Sequence, residues 1–281
     1  MTNQGIDMNP VATGSRRRYI KPLGSYAWFK KAINKYWYPF VTRRWDQDDV
    51  VFLNWGYEED PPMGLPLSLD DEKNRYGIQL YHRTATQIDL AGKTVLEPSC
   101  GHGGGAAYVM TTLRPASYTG LDFNPHGVDF AKRRHSLPGL DFVHGDAEAL
   151  PFPSESFDVV LNVEASHAYP HFERFLDEVV RVLRPGGHFL YVDFRGFLEY
   201  DEWDAALAAL PLRMAARREI NADVLRGLDN NAARHVELIN KRLPLVLQPF
   251  GRLFAGAPDT LMYKELQRGR LSYRLHHFIK D

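Results

Sequence analysis

The sequence predicts an α/β fold, a doubly wound and mostly parallel sheet with helices on both faces. Three observations carry that prediction. From residue 94 onward, short apolar runs alternate with helix-patterned segments. The first run, Thr94-Val95-Leu96-Glu97, passes straight into a glycine-dense turn, Cys100-Gly101-His102-Gly103-Gly104-Gly105. Polar side chains then stand at the carboxyl ends of successive runs, where open α/β sheets hold ligands.

Strands are read at 94–98, 118–122, 140–144, 157–162 and 188–194. Helices fall between them at 104–113, 125–135 and 171–183. Such alternation implies parallel strands covered on both faces. Pro185-Gly186-Gly187 stops the last of these helices, as Pro and Gly do beyond a helix C-terminus.

Upstream, residues 26–40 read as a helix, because Tyr26, Phe29, Ile33, Tyr36/Trp37 and Phe40 recur at helical spacing. That aromatic stripe reads first as packing, with peripheral membrane contact through this N-terminal helix as the second reading. A further helix is expected at about 70–88, capped by Ser68 or Asp70. Residues 1–24, with Arg16-Arg17-Arg18 and Lys21, read as a flexible tail. Downstream, 197–243 is read as a helical lid, and segments near 245–256 and 271–279 as a β-pair completing the sheet. The expected organisation is thus a tail at 1–24, a helical cap at 25–89, and a core at 90–281 carrying the lid at about 197–243.

Composition narrows the function. Hydrophobic residues make up 44% of 281, enough for a sizeable core. The net charge of −1 offers no basic excess to draw a nucleic acid. The single cysteine, Cys100, excludes an intramolecular disulfide and fits a reducing compartment. No apolar run approaches the ~20 residues that span a bilayer, and the N-terminus lacks a signal-peptide core. A cytoplasmic protein with no integral membrane segment is expected.

The turn after the first strand reads E-x-x-x-G-x-G, not the G-x-G-x-x-G of a dinucleotide loop. Glu97 beside Gly101 and Gly103 would repel a diphosphate and suits a ligand with a cationic amine, such as S-adenosylmethionine (SAM). Asp122 ends the second strand, 21 residues beyond Gly101, where a carboxylate can accept from both ribose hydroxyls. Phe123 and Asn124 follow it. Asp146 and Ala147, after the third strand, are placed to meet the adenine amino group and ring. Asn162 and Glu164 follow the fourth strand, with His167 just beyond.

Glu97…Gly101-x-Gly103, Asp122, Gly145-Asp146-Ala147 and Leu183-Arg184-Pro185-Gly186-Gly187 resemble the class I SAM-dependent methyltransferases. The resemblance implies a Rossmann-like, seven-stranded sheet with its last strand antiparallel, and SAM as cofactor. Longer blocks, including Asn54-Trp55-Gly56-Tyr57-Glu58-Glu59-Asp60-Pro61-Pro62 and Asn162-Val163-Glu164-Ala165-Ser166-His167, look like the mycobacterial lipid O-methyltransferases. That group includes fatty-acid O-methyltransferases and the enzymes methylating phthiotriol and phenolphthiotriol dimycocerosates. It implies a lipid or fatty-acid substrate, with Tyr36 and Tyr57 as roof residues over SAM. Free fatty-acid carboxylate, giving methyl esters, is the expected acceptor. The alternatives are a hydroxyl on a long-chain lipid of phthiotriol or glycolipid type, or a small terpenoid or polyketide.

An alcohol acceptor needs a base as attack proceeds, whereas a carboxylate is already ionised. His167 is the candidate base, with His171 and Glu164 as second choices. The His167-x-x-x-His171 spacing is not read as a metal site, because Pro170 interrupts a helix there and no further ligand set completes it. Nucleic acid is not expected as substrate: Asn162-Val163-Glu164-Ala165 lacks the Asn-Pro-Pro-aromatic pattern of amino-directed enzymes. The cap and lid supply an apolar pocket lining: Trp28, Phe29, Trp37 and Phe40 from one, Phe197, Leu198, Tyr200, Trp203, Leu207, Leu210 and Met214 from the other.

Overall fold

A computed structural model describes residues 27–45 and 50–281; the tail expected at 1–24 lies outside the described residues. Seven strands, β1 (Thr94–Pro98), β2 (Ser117–Asp122), β3 (Leu140–His144), β4 (Phe157–Val163), β5 (Leu183–Gly196), β6 (Arg213–Glu219) and β7 (Leu271–Ile279), form one sheet in the order β3-β2-β1-β4-β5-β7-β6. Only β7 runs against the rest, pairing antiparallel with β5 and β6. The order reverses between β1 and β4, and that switch point opens a crevice at the strand ends.

The apolar runs split by the period-2 rule of a strand. Leu190, Val192 and Phe194 of β5 join one core cluster, with Val95 of β1, Leu161 of β4 and Tyr273 of β7. Phe189 and Tyr191 face the other cluster, against α7 (Phe172–Val182) and α8 (Tyr200–Ala208). The first face is covered by α4 (Arg75–Ala85), α5 (Gly104–Thr112), α9 (Asn221–Arg242) and α11 (Leu261–Gln267), through Leu80, Val109, Val224 and Leu266. α6 (Pro125–Arg134) follows β2; its cap, Asn124, accepts a hydrogen bond from His126 N–H at 3.2 Å.

The predicted cap is helical but broken. α1 (Ala27–Ala32) runs through a π-helical turn, Ile33–Trp37, into α2 (Tyr38–Trp45). The helix expected at 70–88 is two pieces, α3 (Leu69–Glu72) and α4, and Ser68 caps the first by accepting from Asp71 N–H.

Two expectations are corrected. The sixth strand is β6, inside the supposed lid, while 245–256 forms a 3-10 turn, Leu245–Leu247, and α10 (Gln248–Phe254). Every side chain of β6 is exposed, so no polarity alternation marks it, and Arg, Ala and Glu favour helix. Pairing with β7 decides its structure. In α10, Pro249 sits in the first turn, where its fixed φ starts a helix and its missing N–H costs nothing. No helix among the described residues is long and apolar enough to cross a membrane.

Candidate active site

The loop after β1 owes its path to backbone that turns left-handed three times, at Ser99 (φ 62°), Gly101 (φ 56°) and Gly103 (φ 78°). Gly101 lines a cavity of about 1220 Å³ over the strand ends. Gly103 does not reach it: as N-cap of α5 it packs inward, where a Cβ would stand 2.6 Å from Phe142 Cζ. Asp122 organises the loop, its Oδ2 accepting from Gly101 N–H and its Oδ1 from Asn124 N–H, both at 2.8 Å. Burial pushes its carboxyl up to about 6 against the pull of those two hydrogen bonds.

Of the residues predicted to meet the cofactor, Gly101, Asp122, Phe123, Asn124, Asp146 and Ala147 line this cavity. Glu97, Asn162, Tyr36 and Tyr57 do not, each for a visible reason. The Glu97 carboxylate is fully buried and accepts from the hydroxyls of Tyr81 (2.6 Å) and Tyr118 (2.8 Å), so Tyr81 stands at the wall in its place. Burial pushes Glu97 up to about 7. Asn162 ties the β4 end to β1, donating to Pro98 O and to Tyr169 Oη at 3.0 Å each. Tyr57 is wholly buried and donates to Glu59 at 2.8 Å. Tyr36 points outward, 65% exposed.

The three predicted catalytic residues all line the cavity. His167 lies on a 3-10 turn after β4, its ring stacked on Phe194 at 4.3 Å. Asp193, fully buried on β5, holds it twice: Oδ1 accepts from Nδ1 and Oδ2 from the His167 N–H, each at 2.9 Å. Ser166 Oγ donates to the same carboxylate at 2.6 Å, and the Arg195 guanidinium stands 3.4 Å away. Burial works to raise the Asp193 carboxyl, but His167, Arg195 and these hydrogen bonds outweigh it and hold it well below the usual range. No partner among the described residues engages Nε2 of His167. Sequence reasoning missed Asp193, Ser166 and Arg195. The signal was there: Asp193 is a charge inside the apolar run Phe189-Leu190-Tyr191-Val192-Asp193-Phe194.

Glu164 is held otherwise. It accepts from Trp55 N–H at 2.8 Å and from the Tyr273 hydroxyl, with strained backbone at φ 50°. Burial pushes its carboxyl up to about 8, so at neutral pH it is mostly protonated and a poor base. His171 caps α7, its N–H donating to Glu148 at 2.7 Å. A further network, also unforeseen, joins α2 to the loop: Asn124 donates to Thr42 Oγ1, which lies 2.9 Å from His102 Nε2.

The pocket lining is corrected too. Trp37, Phe197 and Leu198 line the cavity. Trp203, Leu207 and Leu210 belong to the core on the opposite face of the sheet, Tyr200 lies against Arg274, and Met214 is exposed on β6. Phe40 stacks on Trp37 at 6.0 Å without reaching the wall, while the side chains of Trp28 and Phe29 lie outside the described residues. Among the described residues no group of three or more His, Cys, Asp or Glu could hold a metal ion.

Residues 96–191 match the methyltransferase domain family. The chain is 59% identical over 258 residues to the phthiotriol/phenolphthiotriol dimycocerosates methyltransferase of Mycobacterium tuberculosis, covering 92% of this chain and 95% of the relative. The chain belongs to the class I SAM-dependent methyltransferases. The methyltransferase is also 53% identical over 243 residues to the fatty-acid O-methyltransferase of Mycolicibacterium smegmatis, covering 86% of this chain and 88% of the relative. Its fold is shared with geranyl diphosphate methyltransferase in complex with GPP and sinefungin, at a TM-score of 0.66 and 15% identity, over 90% of this chain and 99% of that one.

SAM fits what the cavity offers. The carboxylates of Asp122 and Asp146 stand at adjacent strand ends beside Phe123 and Ala147, a set that suits a diol, an exocyclic amine and a flat ring. When bound, SAM supplies an electrophilic methyl on a sulfonium. The chain's own part is to hold and orient the acceptor against that methyl.

Proposed function

We propose that the methyltransferase acts on a lipid and methylates a hydroxyl oxygen, with His167 as general base. The observation that carries the reading is the His167–Asp193 pair facing the cavity. A buried carboxylate on Nδ1 fixes the tautomer that leaves the Nε2 lone pair toward the acceptor, and stabilises the imidazolium once the proton has moved. A carboxylate acceptor needs neither service. The apolar wall of Trp37, Phe250, Leu253 and Phe254 suits a long chain, and the relative from Mycobacterium tuberculosis is named for a lipid triol.

The fatty-acid carboxylate expected from the sequence is the second reading. It is favoured by Lys30, a cation lining the same cavity, and by the name of the Mycolicibacterium smegmatis relative. Incubation with SAM and a mixed panel of free fatty acids and long-chain diols, with products weighed by mass spectrometry before and after saponification, separates the two. The expected product survives saponification, as an ether does. Products that return to free acids overturn the hydroxyl reading in favour of the ester.

A further inference from the structure

We infer that the methyltransferase docks on the surface of an anionic phospholipid bilayer, through the π-helical turn Ile33–Trp37 and the connector between α9 and α10. Its link to catalysis rests on the lipid reading above; the docking itself does not.

Exposed apolar residues scattered singly mean little. Here Leu245 and Val246 stand side by side, 81% and 85% exposed, at the tip of the connector. Tyr36 adds a third apolar body with a polar tip, and Lys35 Nζ lies 5.4 Å from its ring centroid. The two segments meet where the Trp37 ring packs edge-on against Phe250, 4.5 Å between centroids. Charge is one-sided. Neither Ala27–Trp45 nor Leu238–Ala255 contains an acidic residue, while Lys31 and Lys35 in one and Lys241 in the other are exposed. Aliphatic tips, an amphipathic aromatic and flanking cations suit the boundary between headgroups and acyl chains.

The position argues for the same partner. Trp37, Phe250 and Phe254, just behind the tip, line the catalytic cavity. Leu261 both lines it and is 63% exposed, so apolar surface runs from outside to inside. A lipid leaving a bilayer along that wall keeps its chain out of water.

The test is co-sedimentation of the full chain with vesicles of phosphatidylcholine alone and of phosphatidylcholine with about one third phosphatidylglycerol. Wild type is expected on the anionic vesicles, less at high salt, and little on the neutral ones. The double variant Leu245→Asp, Val246→Asp is expected to lower the partition coefficient at least about tenfold, with thermal stability and SAM affinity unchanged. Absence of wild-type binding, or equal binding by the variant, overturns the proposal. So does a dimer in sedimentation velocity that the variant splits, since that assigns the patch to a second copy of the chain. Vesicle binding with no lipid methylated upholds the docking surface and overturns the lipid acceptor instead.

Discussion

As the proposed base, His167 depends on Asp193 to settle which nitrogen carries the proton. Asp193→Asn keeps the shape but removes the charge and offers a donor to Nδ1, which favours the wrong tautomer. The expected result is a fall in kcat of about 10²-fold or more with SAM affinity unchanged, read by single-turnover kinetics and titration calorimetry. A variant as active as wild type would remove the pair from proton transfer and point to the carboxylate acceptor. Asp122→Ala probes the cofactor side. It removes a half-buried acceptor of two backbone N–H groups and the expected ribose ligand, so SAM affinity should drop by about 10- to 100-fold, the size of one or two charged hydrogen bonds. Unchanged affinity would sink the assignment. Asp122, Asp146 and His167 were legible because each follows a strand end, a position set by chain order alone. Asp193 was passed over because its role depends on β5 lying beside β4, a pairing that position counting does not reveal.

At the scale of elements, the strands with buried faces were readable and the one without was not. β1, β2, β4, β5 and β7 carry apolar residues because neighbours cover them, and β3, at one edge, still buries Phe142, whereas β6, at the other edge, buries no side chain and its polarity reports only solvent. The placement of α9 was equally unreadable, since it depends on one close approach. Gly227 brings the helix down onto the segment before α3: a Cβ there would stand 2.5 Å from Tyr57 N and 2.8 Å from Gly56 C. Backbone atoms cannot swing aside as a flexible side chain can. Gly227→Ala is therefore expected to destabilise the fold by about 1–3 kcal/mol, despite the better helix propensity of Ala. Thermal denaturation should show a fall in Tm of roughly 3–10 °C. An unchanged or higher Tm would mean that the contact between α9 and Tyr57 yields to a methyl group without cost.

Across the whole molecule, acids are partly or wholly withdrawn from water around the strand ends, and this leaves a signature in pH. Asp122, Glu97 and Glu164 have folded-state pKa values raised to about 6, 7 and 8 by burial. A carboxyl whose folded value is raised binds its proton more tightly in the native state. Its contribution is complete below the unfolded value near 4 and is lost as pH rises through the folded value. The buried histidines act in the opposite sense. His135 and His235 are lowered to about 4 and His276 to about 3, so their contribution is present above ~6.5 and lost as pH falls. At pH 6.5 the unfolded histidines are still half protonated and offset the carboxyls, but between pH 7.5 and 8.5 they are almost wholly neutral in both states and cancel little. Over that window Glu97 and Glu164 ionise only at the expense of the fold, each by up to about 1.4 kcal/mol per pH unit. Tm should therefore fall from pH 7.5 to 8.5, in a window where ordinary surface carboxylates do not titrate. Glu164→Gln keeps an acceptor for Trp55 N–H and Tyr273 while removing one ionisation, so it should flatten the slope. A wild-type Tm that holds or rises across the window, or a variant with the wild-type slope, would show that water reaches these carboxyls and that the strand ends are not dry.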